Sequence, residues 1–232
     1  MERLEDFGGL SRQGVIATSR WAQEHHLPSR SQQILWLIPA SVMIGTGVAA
    51  LSAAGLGVAP FDVLLSAIER RTPLSFGQAA WAVSAVLFAV AAVLGARPTA
   101  RSALYIVLNG FTIDVARSLI VSPDDLVVRI VLAMAGAVVL ATGVATVVYH
   151  AAAGGSFESI MRAAEQHGRR PIRVRTILEI SFLAIGVAAG GSFGPMTVVM
   201  AVSMGPAIGL GLQIFADHRA GRSQRLGGVE VA

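Results

Sequence analysis

Four stretches of this chain carry no aspartate, glutamate, lysine or arginine: 31–61, 72–96, 130–157 and 180–216. A helix needs about 20 apolar residues to cross the hydrocarbon core of a bilayer, and the last stretch is long enough for more than one pass. Backbone in lipid is satisfied only within helices or closed barrels. The alternating ten-residue segments of a barrel are absent, so the pattern predicts an all-α, polytopic helical membrane protein. Composition agrees: 14% of the 232 residues are charged, against about 25% in a soluble domain.

First-pass spans fall at about 34–55, 77–95, 102–121, 129–150, 174–190 and 195–216, with Gly190, Gly191, Gly194 and Pro195 splitting the longest window. Two segments interrupt the apolar runs, and they match without gaps. "TGVAALSAAGLGVAPFD" (46–62) aligns with "TGVATVVYHAAAGGSFE" (142–158), identical over Thr-Gly-Val-Ala and ending on Phe-acid in both. In the same register Phe61, Leu64, Leu65 and Ile68 meet Phe157, Ile160, Met161 and Ala164, one face of a helix. Each half therefore reads as span, short amphipathic or re-entrant helix, span, span. An odd number of spans per half inverts the second half, the arrangement of several transporter folds. The division is a cytosolic segment at 1–33, repeats at 34–121 and 122–216, and a cytosolic tail at 217–232.

All 18 basic residues are arginine. With both termini in the cytosol, only Arg70, Arg71, Arg117 and Arg129 lie outside, and the other fourteen lie inside, as the positive-inside rule favours. The expected location is the bacterial cytoplasmic membrane, with the lipid bilayer as the first partner. The chain has no cysteine, which removes disulfides and thiolate metal sites. His25 and His26 lack further ligands at metal spacing, so no metal and no cofactor is expected. The arginines are scattered and carry no interleaved aromatic motif, so nucleic acid is not expected as a partner. No phosphate-binding loop, dinucleotide fingerprint, zinc-protease motif or nucleophile elbow appears, and the chain does not read as an enzyme.

The candidate site residues are the few polar groups the apolar pattern strands. Asp62 and Glu158 sit at equivalent first-turn positions, which a helix N-terminus stabilises. They are interfacial acids or a pair of gate carboxylates. Asn109 and Asp114 lie within a span, where a buried charge costs about 2.5–3.5 kcal/mol. They could bind a coupling proton or a cationic solute group, or Asp114 could pair with Arg117 one turn on. Arg175 and Glu179 have the spacing of an intrahelical pair, or could relay protons. Gly55 and Gly57, with Gly154 and Gly155, let backbone line a cavity. Gly205 and Pro206 are expected to break the last span, while Thr46-Gly47 and Thr142-Gly143 suit close helix packing. His150 reads as a structural residue at a span end.

"GLGVAPFDVLLSAIERRTPLSFGQ" (55–78), "LNGFTID" (108–114), "RPIRVRTILEI" (170–180) and "GSFGPMTVVMAVSMGPAIG" (191–209) resemble motifs of the bacterial YczE/YyaS/YitT-type integral membrane proteins, closest to the YczE branch. The resemblance covers roughly 35–215, and Ser156 stands where that pattern has proline. It implies membrane location and fold, and no assigned activity. The function expected is secondary transport of a small solute, proton-coupled through the intramembrane acids. The alternative is a non-transporting accessory or regulatory protein, with a homo-oligomer or a partner membrane protein as its assembly.

Overall fold

A computed structural model of the chain describes residues 29–96, 99–150 and 154–227. His25, His26, the rest of residues 1–28 of the expected N-terminal segment, and residues 228–232 of the expected tail lie outside them. Among the described residues there are eight helices and no strand: α1 (Arg30–Ala54), α2 (Pro60–Arg71), α3 (Phe76–Val93), α4 (Ala100–Leu119), α5 (Leu126–Tyr149), α6 (Ser156–Gln166), α7 (Pro171–Ala188) and α8 (Pro195–Gly227). All six expected spans are helices. Four of them, α1, α3, α5 and α8 as far as Phe215, are long and apolar enough to cross a membrane. The chain is accordingly an integral membrane protein. Arg101, Asp114 and Arg117 in α4, and Arg173, Arg175 and Glu179 in α7, keep those two helices below that measure.

The helix starts are set locally. Ser29 and Ser75 accept from the N–H of Gln32 and Gln78, whose side chains accept from the serine N–H in return. These capping boxes satisfy donors that the first turn leaves orphaned. Thr99 and Asp125 cap α4 and α5 through one side-chain bond each. Pro60 and Pro171 open α2 and α7, where a missing N–H costs nothing. Gly55 ends α1 at φ 62°, and Gly57 follows at φ 106°, so the expected glycine break after the first span is made by left-handed backbone.

Two expectations change here. The last span is not broken: α8 runs without interruption through Gly205 and Pro206. A proline forfeits one backbone bond to the preceding turn, and a long helix keeps its remaining ladder; Pro39 is held inside α1 in the same way. The same helix continues past 216 to Gly227, so the first part of the expected tail has helical backbone.

α1 and α5 cross at the centre, with backbone close to backbone. A Cβ added at Gly47 would stand 2.7 Å from the Gly136 carbonyl oxygen and Leu140 Cβ, and one at Gly143 would stand 2.9 Å from Ile44. α4 packs on α1 and α8 on α5; α2 packs on α3 and α7, and α6 on α7 and α3. Phe61 and Phe157 meet edge to face with ring centroids 5.1 Å apart, and Phe182 lies 5.6 Å from each. Near the start of α1, Trp36 stacks on His150, whose Nδ1 lies 3.0 Å from the Thr146 carbonyl oxygen. His150 is thus a packing residue.

The two short helices differ in setting. α2 is enclosed: Asp62, Val63, Leu65, Ser66 and Ala67 are all buried. α6 buries Ile160, Met161, Ala163 and Ala164 and exposes Glu158, Arg162 and Glu165. α3 and α4 are closely packed, whereas nothing lies within 4 Å of a Cβ placed at Gly205 or Gly209 of α8.

The central crossing yields a prediction. Gly47→Ala should destabilise the purified protein by about 1–3 kcal/mol, the cost of overpacking a filled interface, read as a lower melting temperature in detergent. Gly209→Ala should melt no lower than the unaltered protein, since alanine favours an open helix position by about 1 kcal/mol.

Candidate functional site

At the α2 end the polar groups are few and every arginine is used. The left-handed turn at Gly55 and Gly57 lets the chain lie against the turn between α7 and α8. Met196 donates its N–H to the Leu56 carbonyl at 3.0 Å, Val58 donates to Ser192 at 3.3 Å, and Gly57 abuts the Gly194 backbone. Arg70 donates to the Gly190 carbonyl at 2.7 Å and to Ser192 Oγ at 2.9 Å, and Arg71 to the Ala189 carbonyl at 2.8 Å. Arg129 donates to the carbonyls of Ala54 and Gly55 at 2.6 and 3.0 Å. Cations therefore sit on the C-terminal carbonyls of α7 and α1, where the helix dipole favours them.

Arg117 does not pair with Asp114. It reaches Glu69 at 2.5 Å, and its guanidinium lies 4.7 Å from the centre of the Phe76 ring. Asp114 accepts from Ser75 Oγ at 2.5 Å and from the Gly77 N–H at 2.8 Å. A free N–H at the start of α3 is the stronger partner for a carboxylate one helix away, since it is an orphan donor at the positive end of a helix dipole. Gly77 permits the approach, because a Cβ there would stand 2.7 Å from the Asp114 carboxylate. Trp81 completes the α3–α4 contact by donating its indole N–H to the Ile106 carbonyl at 3.1 Å, over Gly110. The structure thus places Asp114 as an interhelical cap.

Asp62 is 7% exposed and accepts no hydrogen bond among the described residues. Burial pushes its carboxyl up to about 7 from the ordinary 3.8, with the Arg117 charge pulling the other way. It is the one buried acid among the described residues.

At the α6 end Gly155 caps the helix and Glu158 is exposed in its first turn. Tyr105 of α4 lies within reach of both the Asn109 amide and the Glu158 carboxylate. Asn109 Oδ1 and Ser41 Oγ are buried with no protein partner. Arg101 donates to Gln33, and Thr112 donates to the Ser41 carbonyl at 2.8 Å beside Gly45. That parallel register sets Ser41 level with Asn109. Arg175 donates to Glu179 at 2.9 Å, both being well exposed, so this pair is worth little. Gly154 lies 3.3 Å (as a built Cβ) from Arg162, while Gly205 and Pro206 face no neighbour at the glycine.

The expected residues are therefore brought together in part. Asn109 and Glu158 share a neighbourhood, Asp62 stands at the opposite end near Arg117, and Arg175 and Glu179 stay apart from both. Tyr105 and Ser41 went unnoticed in the sequence; the i+4 spacing of Tyr105 to Asn109 was the available signal for the first. No group of three or more histidines and acids that could hold a metal occurs among the described residues.

A family model described as a family of unknown function (DUF6198) matches residues 31–212. A protein of Haemophilus influenzae described as "Uncharacterized protein" is 26% identical over 203 residues, covering 87% of this chain and 93% of that one. No solved structure matches.

Two predictions separate structural from functional acids. Asp114→Ala should cost about 1–3 kcal/mol of stability, the penalty for orphaning a buried donor, measured as a drop in melting temperature. For Asp62 the folded protein holds a proton that the unfolded chain releases near 3.8. Stability from this group therefore falls as pH rises from about 4 to 7. Asp62→Asn should raise the melting temperature at about pH 8 by the equivalent of at least about 1.4 kcal/mol, and leave it nearly unchanged at about pH 4.

Proposed function

The chain belongs to this family of unknown function, and we propose that it is a secondary transporter of a small solute, built as two inverted three-span repeats and proton-coupled through its unpaired acids. One observation carries the reading: helix pairings recur when the halves are exchanged. The packing of α4 on α1 is matched by α8 on α5, that of α2 on α7 by α6 on α3, and that of α2 on α3 by α6 on α7.

The equivalence extends to single bonds. Gly95 and Gly190 both turn at positive φ after α3 and α7, at 90° and 76°. Ala96 donates to the Ala91 carbonyl at 2.9 Å, and Gly191 to the Gly186 carbonyl at 2.8 Å. Gly47 faces Leu140 as Gly143 faces Ile44, and Phe61 meets its own counterpart Phe157. Such exchange is what a pseudo-two-fold axis in the membrane plane produces, and binding sites of that fold class lie near the midplane at the repeat interface. Asn109 and Ser41 offer unpartnered oxygens for such a site, and Tyr105 lies beside Asn109 within the influence of the Glu158 charge. Unsatisfied acceptors beside a carboxylate fit a solute that donates hydrogen bonds or carries a positive charge.

The arginine distribution supports cytosolic termini in a bacterial cytoplasmic membrane. The "GLGVAPFD" segment supports placing this family beside the YczE-type proteins.

Topology and transport are tested together. The chain lacks cysteine, so Pro73→Cys and Glu165→Cys introduce single labels at exposed positions next to the two short helices. An impermeant maleimide should label the first on intact cells and the second only after permeabilisation. Proteoliposomes holding a pH gradient should then lose it faster when supplied with a transported amine, and Asn109→Ala should slow that loss. Labelling of both cysteines from one side would overturn the inverted repeat. A gradient insensitive to a broad set of solutes, with a partner protein retained through purification, would replace transport with the accessory reading.

A further inference from the structure

The two halves share their pairings but not their state. In the first half α3 and α4 are in contact along their length at the α2 end: Gly77 fits against the Gly110 carbonyl, Trp81 covers Gly110, and Asp114 caps α3. In the second half no comparable packing joins α7 to α8 among the described residues. Gly186 and Gly191 press instead on the Val63 backbone of α2, and Gly194 on Gly57. Further along, Gly205 stands as far into α8 as Gly110 stands into α4, and Gly209 as far as Asp114. Neither glycine has anything within 4 Å of a built Cβ.

The equivalent acids divide the same way. Asp62 is buried at the closed end, while Glu158 is exposed at the other. The closed end also holds a latch with no counterpart among the described residues of the open end: Arg70 and Arg71 grip the turn between α7 and α8, and Arg117 ties α4 to Glu69 of α2. Asp62 and Glu158 are therefore presented to opposite surroundings by one and the same fold. Packed interfaces between helices are bistable rather than continuously deformable, so two different packings of equivalent helices mark two ends of a motion.

We propose that this structure is one of two gated states, closed at the α2 end and open at the α6 end, and that packing of α8 onto α7 at Gly205 and Gly209 is coupled to release of α4 from α3 at Gly77 and Gly110. The exchange buries Glu158 and uncovers Asp62. This rests on the inverted-repeat transporter reading and adds to it the moving contacts and the latch. Gly205 has a use in the second state that it lacks in the first: it provides the flat surface that Gly110 provides to Trp81, with Thr176 the residue equivalent to Trp81.

The full chain in lipid nanodiscs tests the coupling. Trp21→Phe and Trp36→Phe leave Trp81 as the one tryptophan. Thr176→Cys with Gly205→Cys then allows α7 and α8 to be tethered by a short thiol cross-linker. Tethering should shift Trp81 emission to the red and raise its quenching by iodide several-fold, because the indole leaves its seat on Gly110. Arg70→Gln with Arg71→Gln should raise quenching without any tether, by loosening the latch. A tether that forms while Trp81 emission and quenching stay constant would overturn the coupling, as would latch variants that leave quenching unchanged. Coupling observed in a protein that moves no solute would retain the two-state device and remove the transport reading. Transport that survives the tether would do the reverse.

Discussion

The close crossing of α1 and α5 is the contact on which the other helices depend. In lipid, helices gain nothing by hiding apolar surface from each other, so association comes from packing and from the few polar groups available. Gly47 and Gly143 bring two backbones together at one point, each taking a larger side chain of the other helix, Leu140 and Ile44. α4 then lies on α1, and α8 on α5. The short helices are carried on the remaining sides, with Phe61 and Phe157 meeting where the halves touch. A substitution at this crossing acts on both halves at once, because each half contributes one glycine and one knob.

Polar groups in so apolar a chain are either consumed by backbone or left exposed to a purpose. Four arginines of the α2 end all find oxygen acceptors, three of them on carbonyls that helix ends leave unpaired. Asp114 takes the reverse part, an acid on orphan N–H donors. These bonds turn charges at the helix ends into fixed helix-to-helix geometry. What they leave over is Asp62, with no hydrogen bond, and the Asn109 and Ser41 oxygens. The proposed site rests on these leftover groups, since their burial is met by no structural gain.

Much of this was legible in the chain, and the misses have physical causes. Charge-free windows located the helices, because the length of an apolar run is what a bilayer selects. The aligned Thr-Gly-Val-Ala and Phe-acid segments located the counterpart residues, and Gly55 and Gly57 do turn the chain. Pro206 misled, since a proline's local cost is small against the ladder of a long helix. Arg117 misled as well: one-turn spacing to Asp114 is a local preference worth a few tenths of a kcal/mol, and the Glu69 carboxylate for Arg117 and the donors at the start of α3 for Asp114 outweigh it. Tyr105 and Ser41 were hidden because their importance is relational. A tyrosine and a serine in apolar helices become notable only when register sets them beside Asn109.

The asymmetry between halves is the part that no sequence pattern encodes, because it is a property of a state rather than of a fold. Gly110 and Gly205 hold equivalent places, yet one is covered by an indole and the other by nothing within 4 Å. A static protein would have no use for a flat surface on α8 that meets no neighbour; glycine there lowers helix stability by about 1 kcal/mol relative to alanine. Arg70 and Arg71 supply the complementary reason for one state to persist, since they bind the α7–α8 turn only while α2 stays enclosed. In the proposed two-state reading, halves that exchange places, one latched and one parted, give two near-equivalent packings. In the proposed exchange the balance between them depends on which of the Asp62 and Glu158 surroundings is occupied, because a ligand shifts such an equilibrium only by its difference in affinity for the two states.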